Sequence, residues 1–446
     1  MVGYLIIIVR EGRVAGLNVM GLLGRKNRRA VVVGLDGVPH SLVGKLIADG
    51  ATPNLAELGR TSPFAPMTVT LPEISAVSWP SFATGLNPGG HGVFGFTELK
   101  PGTYDVRFTS SADVKAPTIW DRLGRVRKRA VVINQPSTYP ANAINGALVA
   151  GFVAVDFDRA IMPPPLRTKL RRLGYEIDVD TVKCREDHDL LQTQLMTTLA
   201  GRRKAASFLW ENEDWDYFEL VVTGTDRLQH YLWNALADDA HPRHGFCLEY
   251  YREVDRLVGD LAARAQDEGA AFYLLSDHGF CGVEREVYLN TWLEQEGFLT
   301  FDGGKRDSLA ALGAKTRAFA LDPNRIYINA AGKYPRGGVR PGDAAAVLAD
   351  IEKGLLSLTY DGRPVTRKVF RRDEIYDGPH AASGPDLVAV AHAGFDLKAH
   401  LGKAEVFART NLSGMHTYDD AVFWSAEPPA ADVKITDVAG LVLANY

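Results

Sequence analysis

Short apolar runs, each closed by polar or glycine-rich residues, recur along the chain. Ala30–Leu35 (AVVVGL) runs into Asp36-Gly37, Ala130–Ile133 (AVVI) into Asn134-Gln135-Pro136, and Tyr217–Val222 (YFELVV) into Thr223-Gly224-Thr225-Asp226. Ala271–Leu275 (AFYLL) precedes Ser276-Asp277-His278-Gly279, and Leu387–Val390 (LVAV) closes before His392. Runs of this length, rich in β-branched residues, predict strands buried on both faces of a parallel sheet. The intervening segments predict helices over Ser41–Asp49, Thr118–Leu123, Asp187–Leu209, Leu228–Ala237, Leu248–Gln266 and Gly342–Leu356. Strand alternating with helix in this way defines an α/β fold, doubly wound, with a mostly parallel sheet flanked by helices.

Two stretches depart from the pattern. Residues 151–210 carry a proline run (Pro163–Pro165), a basic patch (Lys169, Arg171, Arg172) and a long helix. Residues 300–385 carry glycine-rich turns and an isolated strand-like run, Arg325–Asn329. Both are expected to be cap insertions within one catalytic domain, residues 30–446. Basic residues of the second stretch, among them Arg325, Arg371 and Arg372, are candidates for meeting an anionic substrate. Residues 1–29 are expected to be a solvated leader, with Met20 a second candidate start. The apolar run at residues 5–9 (LIIIV) is interrupted by Arg10, Glu11 and Arg13. It falls short of the roughly 20 residues of a spanning helix and the roughly 7 of a secretory core. No other window approaches membrane-spanning length.

Composition adds limits rather than a function. Fifty Lys+Arg against 54 Asp+Glu leave a formal charge of −4, which gives no broad footprint for nucleic acid. The three cysteines, Cys184, Cys247 and Cys281, form no CxxC pair and are odd in number. A reducing compartment, and so a cytoplasmic location, is the expectation.

The chemistry gathers at the strand ends. Asp36, Asp226 and Asp277 each follow a predicted strand, where doubly wound folds bind their ligands. His278 adjoins Asp277, His230 lies four residues after Asp226 on the same helical face, and His416 sits in Ser413-Gly414-Met415-His416. Each motif alone also fits a turn or a surface pair. Together they bring three carboxylates to one place with no arginine expected from the same motifs. Carboxylates so gathered need cations, and two divalent ions supply the charge. Histidines among them favour zinc or manganese over calcium. The segment Leu71–Gly95 (LPEISAVSWPSFATGLNPGGHGVFG) reads as an exposed turn, a short helix and a tight return. Ser75 or Ser78 there is either a helix cap or a nucleophile facing a phosphate at a helix N-terminus.

Gly34-Leu35-Asp36-Gly37, the Ser75–His91 segment, Thr225-Asp226 with His230, Ser276-Asp277-His278-Gly279 and Gly414 with His416 resemble, in order and spacing, the alkaline phosphatase superfamily. The branch they look most like is the type I phosphodiesterase/nucleotide pyrophosphatase group, with its predicted prokaryotic phosphohydrolases and phosphomutases. The resemblance covers about residues 30–425. It implies a two-metal phosphohydrolase acting on a small phosphorylated substrate, a monoester or a diester. One metal would be held by Asp36, Ser75, Asp277 and His278, the other by Asp226, His230 and His416. Ser75 would be the nucleophile, passing through a phosphoseryl intermediate, and His91 would be structural rather than a ligand. Nucleotide pyrophosphatases usually carry Thr at the nucleophile and Asn three residues later; here stand Ser75 and Ser78, which points away from nucleotides. Ser78 and Asn134 are candidate substrate-binding residues, with Asn134–Pro140 beside the pocket. A phosphomutase or phosphotransferase on the same core, and a non-catalytic binding homologue, are the alternatives. A sulfatase is disfavoured, because Ala76-Val77-Ser78-Trp79 lacks the x-Pro-x-Arg that formylglycine maturation requires. Oligomeric state is left open.

Overall fold

The structure is a computed structural model; it describes residues 29–303, 305–427 and 432–446. Almost all of the leader, with its apolar run, the alternative start Met20 and five of its six basic residues, lies outside the described residues. Nine strands form the central sheet: β1 (Ala30–Leu35), β2 (Ala65–Thr68), β3 (Ala130–Gln135), β4 (Gly146–Ala150), β5 (Ile161–Met162), β6 (Tyr217–Val222), β7 (Ala271–Leu275), β8 (Ala421–Ser425) and β9 (Val433–Lys434). Their spatial order is β9-β2-β8-β7-β1-β6-β3-β4-β5. The middle five, β7-β1-β6-β3-β4, are parallel. Strand β8 runs antiparallel beside β7, and β5 antiparallel beside β4.

The alternation of side chains along β1 shows why its run is apolar throughout. Val31, Val33 and Leu35 face a core shared with helices His40–Ala48, His188–Asn212, Gly224–Ala237 and His244–Asp267. Ala30 and Val32 face the opposite core, built with helices Ser75–Thr84, Ile119–Arg125 and Ile435–Leu443. Helices on both faces make the fold a doubly wound α/β sheet, largely parallel, with added elements at one end.

The structure departs from the expected organisation in two places. Residues 161–212 are not set apart from the sheet: they supply its edge strand β5 and a 25-residue helix whose Leu191, Leu195 and Leu199 enter the main core. That four-residue spacing is an apolar helical stripe, and it outweighs the proline and basic residues that precede it. Conversely, Leu387–Val390 does not join the parallel sheet. It lies within strand Leu387–Ala391 of a separate antiparallel sheet, between Arg325–Ile328 and Thr366–Arg371, with Ala318–Leu321 at the far edge. A strand buried on both faces looks the same in sequence whichever sheet receives it. Helix Pro341–Ser357 packs Val347, Ile351 and Leu355 onto this sheet, giving residues around 289–406 a core of their own.

Candidate metal centre

Register brings the strand ends level. Gly34 of β1 pairs with Val221 of β6 and with Leu275 of β7, so the residues that follow all three strands emerge side by side. Asp36, Asp277 and His278 are wholly buried there, and Asp226 nearly so. Thr225 Oγ1 donates to the Asp36 carbonyl at 2.6 Å, tying the second loop to the first. Gly37 takes φ +70°, a left-handed conformation suited to glycine, and its N–H donates to Asp277 Oδ1 at 3.0 Å.

The short helix expected in Leu71–Gly95 spans ten residues, Ser75–Thr84, all buried, and the turn before it is largely buried rather than exposed. Its composition, with four hydroxyl residues and Pro80, is poor for an isolated helix, so tertiary contacts hold it. Pro80 has no N–H to offer the preceding turn, and the Ala76 carbonyl accepts instead from Ser137 Oγ at 3.3 Å. Trp79 packs against Gly34, where a Cβ would come within 2.4 Å of the indole, and its Nε1 donates to Asp36 Oδ2 at 3.1 Å. The first residue of the helix is Ser75. Its Oγ donates to Asp36 Oδ1 at 3.2 Å and lies 3.3 Å from His278 Nε2.

His416 arrives from outside the central sheet. It lies on strand Gly414–Thr417, antiparallel to Gly279–Tyr288 with His416 opposite Phe280. Its ring stacks on His278 with 3.7 Å between centroids. His416 Nε2 is 3.1 Å from Asp226 Oδ1 and 2.9 Å from His230 Nε2, and His230 Nε2 is 3.4 Å from the same carboxylate oxygen. On the other side, His278 Nε2 is 3.6 Å from Asp36 Oδ1 and 3.4 Å from Asp277 Oδ2. Asp36, Asp277 and His278 thus form one potential metal-holding group, and Asp226, His278 and His416 a second that shares His278. His230 belongs beside the second by its distances. All seven residues expected from the sequence meet in this one place.

The donor chemistry fits metal ions. Each histidine has its Nδ1 against a backbone carbonyl: His230 on Gly414 at 3.1 Å, His278 on Gly279 at 3.1 Å and His416 on Glu73 at 2.9 Å. A carbonyl only accepts, so each Nδ1 carries the proton and each Nε2 turns a lone pair inward. Two such nitrogens 2.9 Å apart need a cation or a proton between them. Asp277 Oδ2 is buried without a hydrogen-bond partner. Burial pushes the Asp36 carboxyl well above its usual range, and the neighbouring carboxylates push the same way. Burial likewise carries Asp277 up to about 7. It drives His278 well below its ordinary value and His230 down to about 3. Divalent ions reverse the carboxylate shifts, because charge compensation favours the ionised form.

Sequence reasoning missed Arg227. It follows Asp226 directly, donates to Asp226 Oδ2 at 2.9 Å and pairs with Asp178 at 2.7 Å, so one carboxylate does receive an arginine from its own motif. The adjacency was visible in Thr225-Asp226-Arg227; that the side chain turns back toward its neighbour was not. Asp36 and Asp277 pair with no Lys or Arg among the described residues. Ser78 lies one turn after Ser75 with its buried Oγ unpartnered. Asn134, by contrast, is committed within the fold: its amide donates to Val221 O and Thr223 Oγ1, both at 3.2 Å, and its Oδ1 accepts from Tyr175 at 3.0 Å. It braces the β3–β6 junction and has no donor left for a substrate oxygen. His91 bonds Ser81 at 2.9 Å and the Val93 N–H at 3.2 Å, away from the metal ligands.

A cavity of about 580 Å³ opens beside His230 and His416 and runs toward the second lobe, past Phe96, Asn324, Phe395 and Lys398. The basic residues expected to meet substrate are not in it. Arg325 is fully buried and donates to Asp322 O at 2.9 Å, while Arg371 and Arg372 pair with Glu352 and Asp386 inside the lobe.

The sheet topology and the paired Asp/His groups at its strand ends define an alkaline phosphatase-superfamily fold with a metal-binding centre. Within that superfamily the chain belongs to the type I phosphodiesterase / nucleotide pyrophosphatase family, whose sequence model matches residues 30–419. Among solved structures it is similar to phosphonoacetate hydrolase from Sinorhizobium meliloti 1021 in complex with phosphonoformate. That likeness has 17% identity and a TM-score of 0.63, and covers 94% of this chain and 96% of the other. It is also similar to murine ectonucleotide pyrophosphatase / phosphodiesterase 5, at 15% identity and a TM-score of 0.55, with 94% of each chain covered. At these identities the likeness concerns the fold. No curated protein matches the sequence significantly.

Proposed function

We propose that this protein is a two-metal phosphoric ester hydrolase with Ser75 as its nucleophile. The observation that carries the reading is the convergence of three Nε2 lone pairs, three buried carboxylates and one helix-starting hydroxyl at the ends of β1, β6 and β7. Asp36, Ser75, Asp277 and His278 would hold one ion, and Asp226, His230 and His416 the other, zinc or manganese by the donor types. When bound, the two ions supply Lewis-acid stabilisation of charge on the nucleophile, the phosphoryl group and the leaving oxygen.

The chain's own residues do the rest. Ser75 Oγ attacks phosphorus in line, forming a phosphoseryl ester as the bond to the leaving oxygen breaks. The Ser75 proton passes toward Asp36 Oδ1, which the hydroxyl already contacts at 3.2 Å. Trp79 Nε1 fixes the other Asp36 oxygen and so orients the acceptor. Of the N–H groups opening the Ser75–Thr84 helix, those of Val77 and Ser78 already donate to the Ile74 carbonyl; the Ser75 and Ala76 N–H groups would face the phosphoryl oxygens, with Ser78 Oγ as a further donor. Water then cleaves the phosphoseryl ester, restoring the Ser75 hydroxyl and releasing phosphate or a monoester. The lobe around residues 300–385 serves as the substrate-facing cap. Ser75→Ala tests the assignment: turnover of aryl phosphates and phosphodiesters should fall at least about 1,000-fold. Elemental analysis should find metal content near that of the wild type. Retained turnover would exclude Ser75 as the nucleophile.

A further inference from the structure

The charged groups that line the cavity beside the metal centre are unevenly partnered. Of its four carboxylates, Asp396 pairs with a cation and the other three accept hydrogen bonds from neutral groups. Glu73 accepts from Asn324 at 3.2 Å, and Glu286 accepts from Tyr288 at 2.6 Å and Thr410 at 3.0 Å. Asp322 accepts the Ala399 N–H at 2.5 Å, and Asp396 pairs with Lys398 at 2.7 Å. Two guanidinium groups of the same lining, Arg185 and Arg409, are exposed and have no ion pair, hydrogen bond or ring contact among the described residues. They come from separate parts of the chain: Arg185 ends the turn of helix Thr181–Cys184 beside the main body, and Arg409 follows the short strand Phe407–Ala408 beside the second lobe. The same lining includes the apolar side chains of Ile74, Phe96, Phe395 and Leu412.

We infer that the substrate carries a second anionic group, beyond the reacting phosphoryl, which Arg185 and Arg409 bind at the outer end of this cavity. The physical argument is that each carboxylate of the lining is already engaged by a donor, whereas the two unpartnered guanidinium groups keep their full capacity for charge-assisted, bidentate contact with a carboxylate or phosphate. The apolar side chains of the lining suit a short arm joining the two charges. This selects a class, organophosphorus compounds with an anionic arm, over neutral aryl or alkyl esters. The inference rests on the hydrolase reading for the position of the reacting phosphoryl group.

The test separates the two. Metal-reconstituted wild type and the Arg185→Ala/Arg409→Ala double variant are titrated by calorimetry with benzylphosphonate and with 4-carboxybenzylphosphonate, neither of which is an ester. Wild type should bind the carboxylate-bearing compound about tenfold more tightly, and 0.5 M salt should erase most of that margin. The double variant should lose the margin while binding benzylphosphonate as the wild type does. Equal affinities in wild type, a margin that survives the double substitution, or no binding of either compound would overturn the inference. Turnover of 4-nitrophenyl phosphate and bis(4-nitrophenyl) phosphate is measured in parallel. If both stay intact while the binding margin is present and arginine-dependent, charge recognition stands and the hydrolase reading fails.

Discussion

The strand-end centre of the main body and the second lobe treat charge in opposite ways. In the lobe, charges are matched locally: Arg371 with Glu352, Arg372 with Asp386, and Lys398 with Asp396. At the strand ends of the body, Asp36 and Asp277 face one another's field without a Lys or Arg partner among the described residues, and three histidines aim lone pairs into the same space. Paired charges of the lobe let it serve as a wall. A centre whose carboxylates are left open is complete only with cations. The contrast explains why the chemistry belongs to the body although both regions contribute to the cavity.

The sharpest way to break this contrast is to remove a ligand from the body. Asp226→Ala should lose about one of two bound metal equivalents and at least about 1,000-fold in activity. Elemental analysis and a phosphodiester assay check it, and full metal content would remove Asp226 from the centre. A smaller effect is expected one bond further out. Trp79→Phe keeps the ring over Gly34 but deletes the donor to Asp36 Oδ2. Metal affinity should fall about 10- to 100-fold, as for other groups that orient ligands, and competition with a chromophoric chelator reads it.

A buried carboxyl in the body but outside the centre sharpens the comparison. Glu219 is wholly buried on β6, accepts from Tyr217 at 2.6 Å, and is pushed by burial up to about 8. Its folded value lies above its unfolded one, so the folded state binds the extra proton. Stability should therefore decline as pH rises from about 4.5 to about 8 and then level off. Glu219→Gln should flatten that decline and gain on the order of 2 kcal/mol at pH 8 relative to wild type, seen by urea unfolding across pH 5 to 9. An unchanged slope would mean that Glu219 is already ionised in the fold. The smallest effect is expected in the lobe. Arg371 and Glu352 are 37% and 29% exposed, so Arg371→Ala should cost at most about 1 kcal/mol and leave metal content untouched.

The sequence made the body far more legible than the lobe. Strands β1, β6 and β7 announce themselves because burial on both faces demands continuous apolar runs, and their terminal aspartates follow from the topology of doubly wound sheets. His416 was visible only through family resemblance: a four-residue strand in a small second sheet delivers it, and nothing in Gly414–Thr417 alone encodes that pairing. Leu387–Val390 reads as a strand of the main sheet yet joins the second one, because its apolar pattern carries no information about partners. The pairing of Arg227 with Asp226 is not legible from their adjacency, and Asn134, a candidate substrate-binding residue by sequence, has its amide held by Val221 and Thr223. Both depend on where a side chain turns, which spacing does not specify. The turn that opens the Leu71–Gly95 segment reads as exposed because proline and charged residues are surface-like in composition, yet Leu71, Pro72 and Ile74 are buried, as are all ten residues of the helix that follows.

Anomalous diffraction from crystals of metal-reconstituted protein tests the central claim most directly. Two peaks roughly 3.5–4 Å apart are predicted, one among Asp36, Ser75, Asp277 and His278 and the other among Asp226, His230 and His416. A single peak, or two peaks away from these side chains, would contradict the account.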